Sequence, residues 1–131
     1  MHIDASALTA MICGENDAAS LLARLQTDPS RKTTPLAMWE TTVAVARNLG
    51  LEVSVAEKAV EDFMVLTSVV VVDVPAAARA GAVSAYDRFG KSRHRAALNF
   101  GDCFAYAAAK LDGEPLLYKG DDFPHTDISA A

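Results

Sequence analysis

Two rhythms of apolar and polar positions alternate along the chain. Short runs suited to strands occur at "MHID" (1–4), "RKTT" (31–34), "VVVVDV" (69–74) and "EPLLYKG" (114–120). Between them, apolar residues recur at helical spacing. Helices are predicted over "SALTAMIC" (6–13), from Asp17 to Gln26 after a break at Gly14, and from Pro35 to about Asn48, where Gly50 ends the pattern. Others follow from Val55 to Leu66, from Pro75 to about Phe89, and from Asn99 onward through "NFGDCFAYAAAKL". The β-branched run "VVVVDV" predicts a buried strand, "GKSRHRAALN" (90–99) a loop, and "TDI" (126–128) a short edge strand. Strands separated by helices imply parallel pairing with helices on both faces. The expected fold is a three-layer α/β/α domain around a mainly parallel sheet of four to five strands, a single domain over 1–131.

In such a sheet, strand ends and the following helix starts share one edge, where ligands gather. Asp4 closes the first strand, Glu40 lies in the opening turns of the third helix, Asp102 opens a later helix, and Asp121 and Asp122 follow "PLLYKG". Each acid has a local explanation: Asp4 as a helix cap, Asp102 as the third helical residue of a capping box from Asn99, Glu40 as a solvated side chain, the Asp121–Asp122 pair as a turn. Their convergence from four distant segments carries more weight. Carboxylates gathered without a counter-charge repel one another. Hard cations such as Mg²⁺ or Mn²⁺ take oxygen ligands of this kind, a chemistry suited to phosphodiester hydrolysis.

Composition narrows the classes. Half the residues are hydrophobic (51%), as a folded core requires, but charges such as Asp73 break every apolar run, so no membrane span is expected. The start "MHIDASAL" lacks the basic, long-apolar pattern of a secretion signal, and the expected location is the cytoplasm. Cys13 and Cys103 stand far apart without CxxC spacing, which reads as reduced core thiols rather than a zinc site. A net charge of −5 argues against nonspecific coating of nucleic acid and leaves a nuclease open.

Four segments together, "MHIDASAL", Glu40 in its helix, "RHRAALNFGDCFAYAAAK" and "PLLYKGDDFPHTDI", resemble the PIN-domain ribonucleases, and closely the VapC toxins of type II VapBC toxin–antitoxin systems. The resemblance spans nearly the whole chain in order. It implies a metal-dependent endoribonuclease that cuts RNA, such as tRNA or another structured RNA, with Mg²⁺ or Mn²⁺. By position it implies Asp4, Glu40 and Asp102 as metal-binding acids and Ser6 as an auxiliary hydroxyl. The fourth acid falls on Asp122, with Asp121 as the second candidate. It further implies a homodimer, and a hetero-oligomer with a VapB-type antitoxin that neutralises the toxin.

The basic run "KSRHR" supplies Lys91, Arg93 and Arg95 as candidate contacts to RNA phosphates, with Lys119 and His125 as further members; a solvated loop is the competing explanation. Trp39, Tyr86, Phe89 and Phe104 are expected in core or interface rather than against bases. "GKS" at 90–92 is no phosphate loop, since Ala85 stands where that motif needs its first glycine. The three histidines are scattered, which disfavours histidine acid–base chemistry. Two rival classes are a non-cleaving PIN-like RNA- or protein-binding module and a phosphohydrolase with Asp4 as covalent nucleophile.

Overall fold

The computed structural model describes residues 1–131. In chain order the elements are β1 (His2–Ile3), α1 (Ala5–Cys13), α2 (Ala18–Gln26), β2 (Lys32–Thr33), α3 (Pro35–Leu49) and α4 (Val53–Thr67), then β3 (Val70–Val71), α5 (Ala78–Phe89), α6 (Phe100–Asp112) and β4 (Leu116–Leu117), closed by a 3₁₀ turn at Phe123–His125. All pairings are parallel, in the order β3-β2-β1-β4.

Successive residues of a strand face opposite sides, and the register uses this directly. His2 pairs with Leu116 and Ile3 with Leu117. Ile3 and Leu117 enter one core with Leu8, Leu21, Leu25, Val45 and Val60 from α1 to α4. Leu116 enters the other, with Leu98, Tyr106 and the small residues of α5 and α6. Helices therefore cover both faces, and the three-layer expectation holds. Ala105, Ala107, Ala108 and Ala109 are buried, and α5 approaches α6 so closely that a Cβ on Gly81 would lie 3.1 Å from that of Ala107.

Helix boundaries follow local chemistry. Thr34 caps α3, its side chain accepting from the Ala37 N–H, with Pro35 in the first turn. Gly14, Gly50 and Gly113 end α1, α3 and α6 in the left-handed conformation.

Three expectations need correction. The valine run is no buried strand: β3 is the sheet's edge, with Val70 and Val71 60% and 43% exposed, while Val69 joins one core and Val74 packs half-buried against the other. An apolar run reports β-propensity, whereas burial on both faces needs neighbours on both sides. Residues 126–128 form no strand; the added pairing is a single parallel bridge from Leu116 to Ala130. Pro75 precedes α5 by a turn rather than opening it.

Candidate active site

β1 lies between β2 and β4, so the chain leaves it in one direction for β2 and β3 and reaches β4 on its other side. A crevice forms at the carboxyl end of such a switch point. Here it is a cleft of about 530 Å³, lined by Asp4, Ser6 and Thr9 from β1 and α1, Glu40 and its neighbours on α3, Asn99 and Asp102 at the start of α6, and Lys119 after β4.

Asp4 is 3% exposed. Its carboxylate accepts from the Ser6 N–H (2.9 Å) and from the Ser6 hydroxyl (2.5 Å), which makes it the N-cap of α1. The Ser6 hydroxyl in turn accepts from the Lys119 N–H at 3.0 Å. One hydroxyl thus locks the acid and ties the end of β4 to the start of α1. Burial raises the Asp4 pKa, the Ser6 and Ala5 bonds oppose that rise, and the charge of Asp122 adds to it.

Asp102 sits in a full capping box: Asn99 accepts from the Asp102 N–H (3.0 Å) and Asp102 accepts from the Asn99 N–H (2.8 Å). Burial lifts its pKa to about 6, the Asn99 bond lowers it, and Asp4 and Asp122 raise it further. Glu40 has no hydrogen bond to offset its desolvation. Burial first, then Asp4 and Asp102, push it up to about 7.

Glu40 reaches the cluster from the opposite helical layer, and what admits it is a missing side chain. A Cβ on Gly101 would fall well inside 3.0 Å of both Glu40 carboxylate oxygens. Gly101 is therefore a site residue that the sequence reading passed over. Its signal was present in "NFGD", a glycine in the first turn of an otherwise alanine-rich helix, where it costs helix propensity without local need.

Of the two acids after β4, Asp122 acts on both Asp4 and Asp102, while Asp121 is not among the charges that shift either. Both are exposed and lie off the cleft wall. Lys91, Arg93 and Arg95 are exposed and line no part of the cleft, and Arg93 is held by Asp87 at 2.7 Å. The Lys119 ammonium pairs with Glu15 and with Asp17 (3.2 Å), so it does not neutralise the acid cluster. His125 lies in the 3₁₀ turn away from the cleft. Cys103 is buried, its thiol pushed up to about 11 by burial and Asp102, while Cys13 is half-buried.

The donor set of the cleft, three convergent carboxylates with raised pKa values and no cation among them, fits a hard divalent ion. A second group, His2, Asp112 and Glu114, brings ligand-type atoms within 4.8 Å of one another and could also hold a metal. It lies where strands begin and α6 ends, at the opposite edge. Lys32 already pairs with Asp112 (3.1 Å) and Glu114 (2.6 Å), and the Met1 ammonium with Glu114 (3.2 Å). Resident cations leave that group less need of an ion than the cleft has.

A family model for the PIN domain matches residues 1–129. Ribonuclease VapC30 of Mycobacterium tuberculosis is 40% identical over 129 residues, covering 98% of this chain and 96% of the relative. The chain belongs to the VapC ribonucleases of the PIN-domain family. Another member, the ribonuclease VapC of Mycolicibacterium smegmatis, is 40% identical over 130 residues, covering 99% and 98%. The fold also matches a crystal structure of Mycobacterium tuberculosis VapC20, a sarcin-ricin loop cleaving toxin, with a TM-score of 0.75 at 19% identity, over 99% of this chain and 97% of that one.

Proposed function

We propose that this chain is a metal-dependent endoribonuclease toxin that hydrolyses phosphodiester bonds of RNA, tRNA or another structured RNA, at the cleft beside β1. The observation that carries the reading is the buried Asp4 converging with Glu40 and Asp102, none of which enters an ion pair with a cation of the chain. Carboxylates with raised pKa values gathered in a cleft are the pattern of a functional site, and a bound cation would offset their repulsion. Full-length similarity to VapC ribonucleases supports the same reaction.

Asp4, Glu40 and Asp102 would hold Mg²⁺ or Mn²⁺, with Asp122 as the fourth acid nearest the cluster and Asp121 behind it. When bound, a divalent cation supplies Lewis acidity, making hydroxide available near neutral pH and offsetting charge on the phosphate. The chain's own residues do the positioning. Ser6 fixes the Asp4 carboxylate against α1, the Asn99 box fixes Asp102, and Gly101 leaves room for Glu40. Asp4 and Asp102 are thereby held before substrate arrives, so little ordering of these two donors remains to be done in the reaction.

A VapB-type antitoxin that neutralises the toxin, assembly as a homodimer and as a toxin–antitoxin hetero-oligomer, and action in the cytoplasm belong to the same proposal. No helix is long and apolar enough to cross a membrane.

The test is partner-free protein incubated with total RNA and Mg²⁺, beside Asp4→Ala and Asp102→Ala. Wild type is expected to cut RNA, and both variants to lose at least about a hundredfold in rate, the scale on which a lost electrostatic group is felt. Identical cleavage patterns from all three would sink the acid-cluster mechanism. RNA binding without cleavage would favour the non-cleaving module.

A further inference from the structure

Helix α3 brings more than Glu40 to the cleft. Trp39, Val43 and Arg47 line it, beside Glu40, Ala44 and Asn48. These positions repeat at i, i+4 and i+8, so they form one continuous face of the helix. Trp39 stands outside the core: it is 68% exposed and stacks on no other aromatic ring of the chain. The sequence neighbour of Glu40 is thus a large indole left facing water.

Charge along this face is equally uneven. The cleft wall carries two basic side chains, Lys119 and Arg47. Lys119 is taken up by Glu15 and Asp17, whereas Arg47 enters none of the chain's ion pairs. Arg47 lies eight residues beyond Trp39, about 12 Å along the axis at the α-helical rise. An open aromatic face and an unspent guanidinium therefore flank the acid cluster on one rigid element.

We infer that this face of α3 is the track on which a single-stranded RNA segment lies at the cleft, one base stacked on the Trp39 indole and a backbone phosphate taken by Arg47. The inference rests on the ribonuclease reading above and deepens it. Stacking is available to any unpaired base and to none held in a duplex, so the platform selects single strands with little regard to sequence. A guanidinium holds phosphate oxygens in a forked geometry. It also supplies attraction where the surrounding acids would repel an RNA backbone. A basic peptide would suit the acids but meet repulsion at Arg47; a phosphodiester chain uses both features.

The chain's one tryptophan is Trp39, so intrinsic fluorescence reports this contact directly. In chelator, where the proposed cleavage stops, a short single-stranded oligoribonucleotide is titrated against wild type, Trp39→Ala, Trp39→Phe and Arg47→Gln, binding being followed in parallel by anisotropy of a labelled strand. Wild-type emission should be quenched on binding, and much less by an oligomer lacking the bases. Trp39→Ala should weaken binding about tenfold, with Trp39→Phe recovering part of the loss. Arg47→Gln should weaken binding and reduce its salt slope by roughly one ion, whereas Trp39→Ala leaves the slope unchanged. Both side chains are exposed, and unchanged thermal unfolding would verify that the variants are folded.

Binding with unaltered tryptophan emission, or variants that bind and cut as wild type does, would overturn the track while leaving the ribonuclease reading intact. Quenching and variant effects in a protein that cuts no RNA when given Mg²⁺ would support the track and remove the ribonuclease reading. Variants that bind RNA normally but release a co-purifying protein would assign the face to a protein partner and overturn the inference. Absence of any RNA binding overturns it as well.

Discussion

At the scale of single residues, the acid cluster depends on what its neighbours lack. Gly101 lacks a Cβ, and its place is taken by the Glu40 carboxylate. Ala is the better helix former by roughly 1 kcal/mol, and Glu40 is a flexible side chain that can swing away. Gly101→Ala is therefore expected to fold with a melting temperature close to wild type yet lose cleavage by at least about tenfold, as Glu40 leaves the cluster. Thermal unfolding beside an RNA cleavage assay checks this; a variant with full activity would show that Glu40 need not occupy that position. Ser6 illustrates the opposite case, one hydroxyl that donates to Asp4 and accepts from Lys119. Small residues at the mouth of the site set where large ones can go.

At the scale of elements, α6 links stability to chemistry through its first turn. Asn99 and Asp102 satisfy each other's backbone N–H groups, and the helix dipole favours negative charge at this end. Asn99→Ala is expected to cost about 1 kcal/mol of stability, the usual value of an N-cap. It should also release the backbone anchor of Asp102. A denaturant melt should show the loss of stability, and the apparent affinity for Mg²⁺ in the cleavage reaction should fall. A stability loss with unchanged metal dependence would confine the box to a structural role. The rest of α6 is tied down separately: mid-helix the Tyr106 hydroxyl donates to Asp127 (2.5 Å), and in the last turn Lys110 donates to the Asp127 carbonyl (2.8 Å). The element is pinned at both ends, with its alanine face between.

For the whole molecule, the cluster makes stability depend on pH in an unusual direction. Glu40 moves from 4.5 to about 7 and Asp102 from 3.8 to about 6 on folding, driven by burial first and neighbouring acids second. Between those limits the folded protein holds more protons than the unfolded chain, so stability falls as pH rises. The stabilising protonation is complete below about pH 4 and lost as pH passes 6 and then 7. Carboxylates held low by partners, Asp28 by the Met1 ammonium and Glu114 by Lys32, act oppositely, but only at more acidic pH. In chelator the melting temperature is therefore expected to decline from about pH 5 to about pH 7. Saturating Mg²⁺ or Mn²⁺ should reverse that decline. At a hundredfold excess over Kd the gain is roughly 3 kcal/mol, or about 10 °C for a domain of this size, and Asp4→Asn should abolish it. Differential scanning calorimetry across pH, with and without metal, decides; a flat profile in chelator would contradict the repulsive cluster.

Local chemistry is written in local residues, which is why the helix starts near Asp4, Pro35 and Asn99, the stops at Gly14 and Gly50, and the alternation that implies a parallel sheet could all be read from the chain. The four acidic segments could also be assigned to one sheet edge, because parallel topology forces strand ends and helix starts together. Which valines are buried could not, since β3 lacks a neighbour on its outer side and no residue within the run records that. Nor could the separation of Asp122 from Asp121, the place of Glu40 over Gly101, the occupation of Lys119 by Glu15 and Asp17, or the exposure of Trp39. Each depends on distances between elements remote in sequence. Packing sets those distances, and charge, burial and empty space act through them.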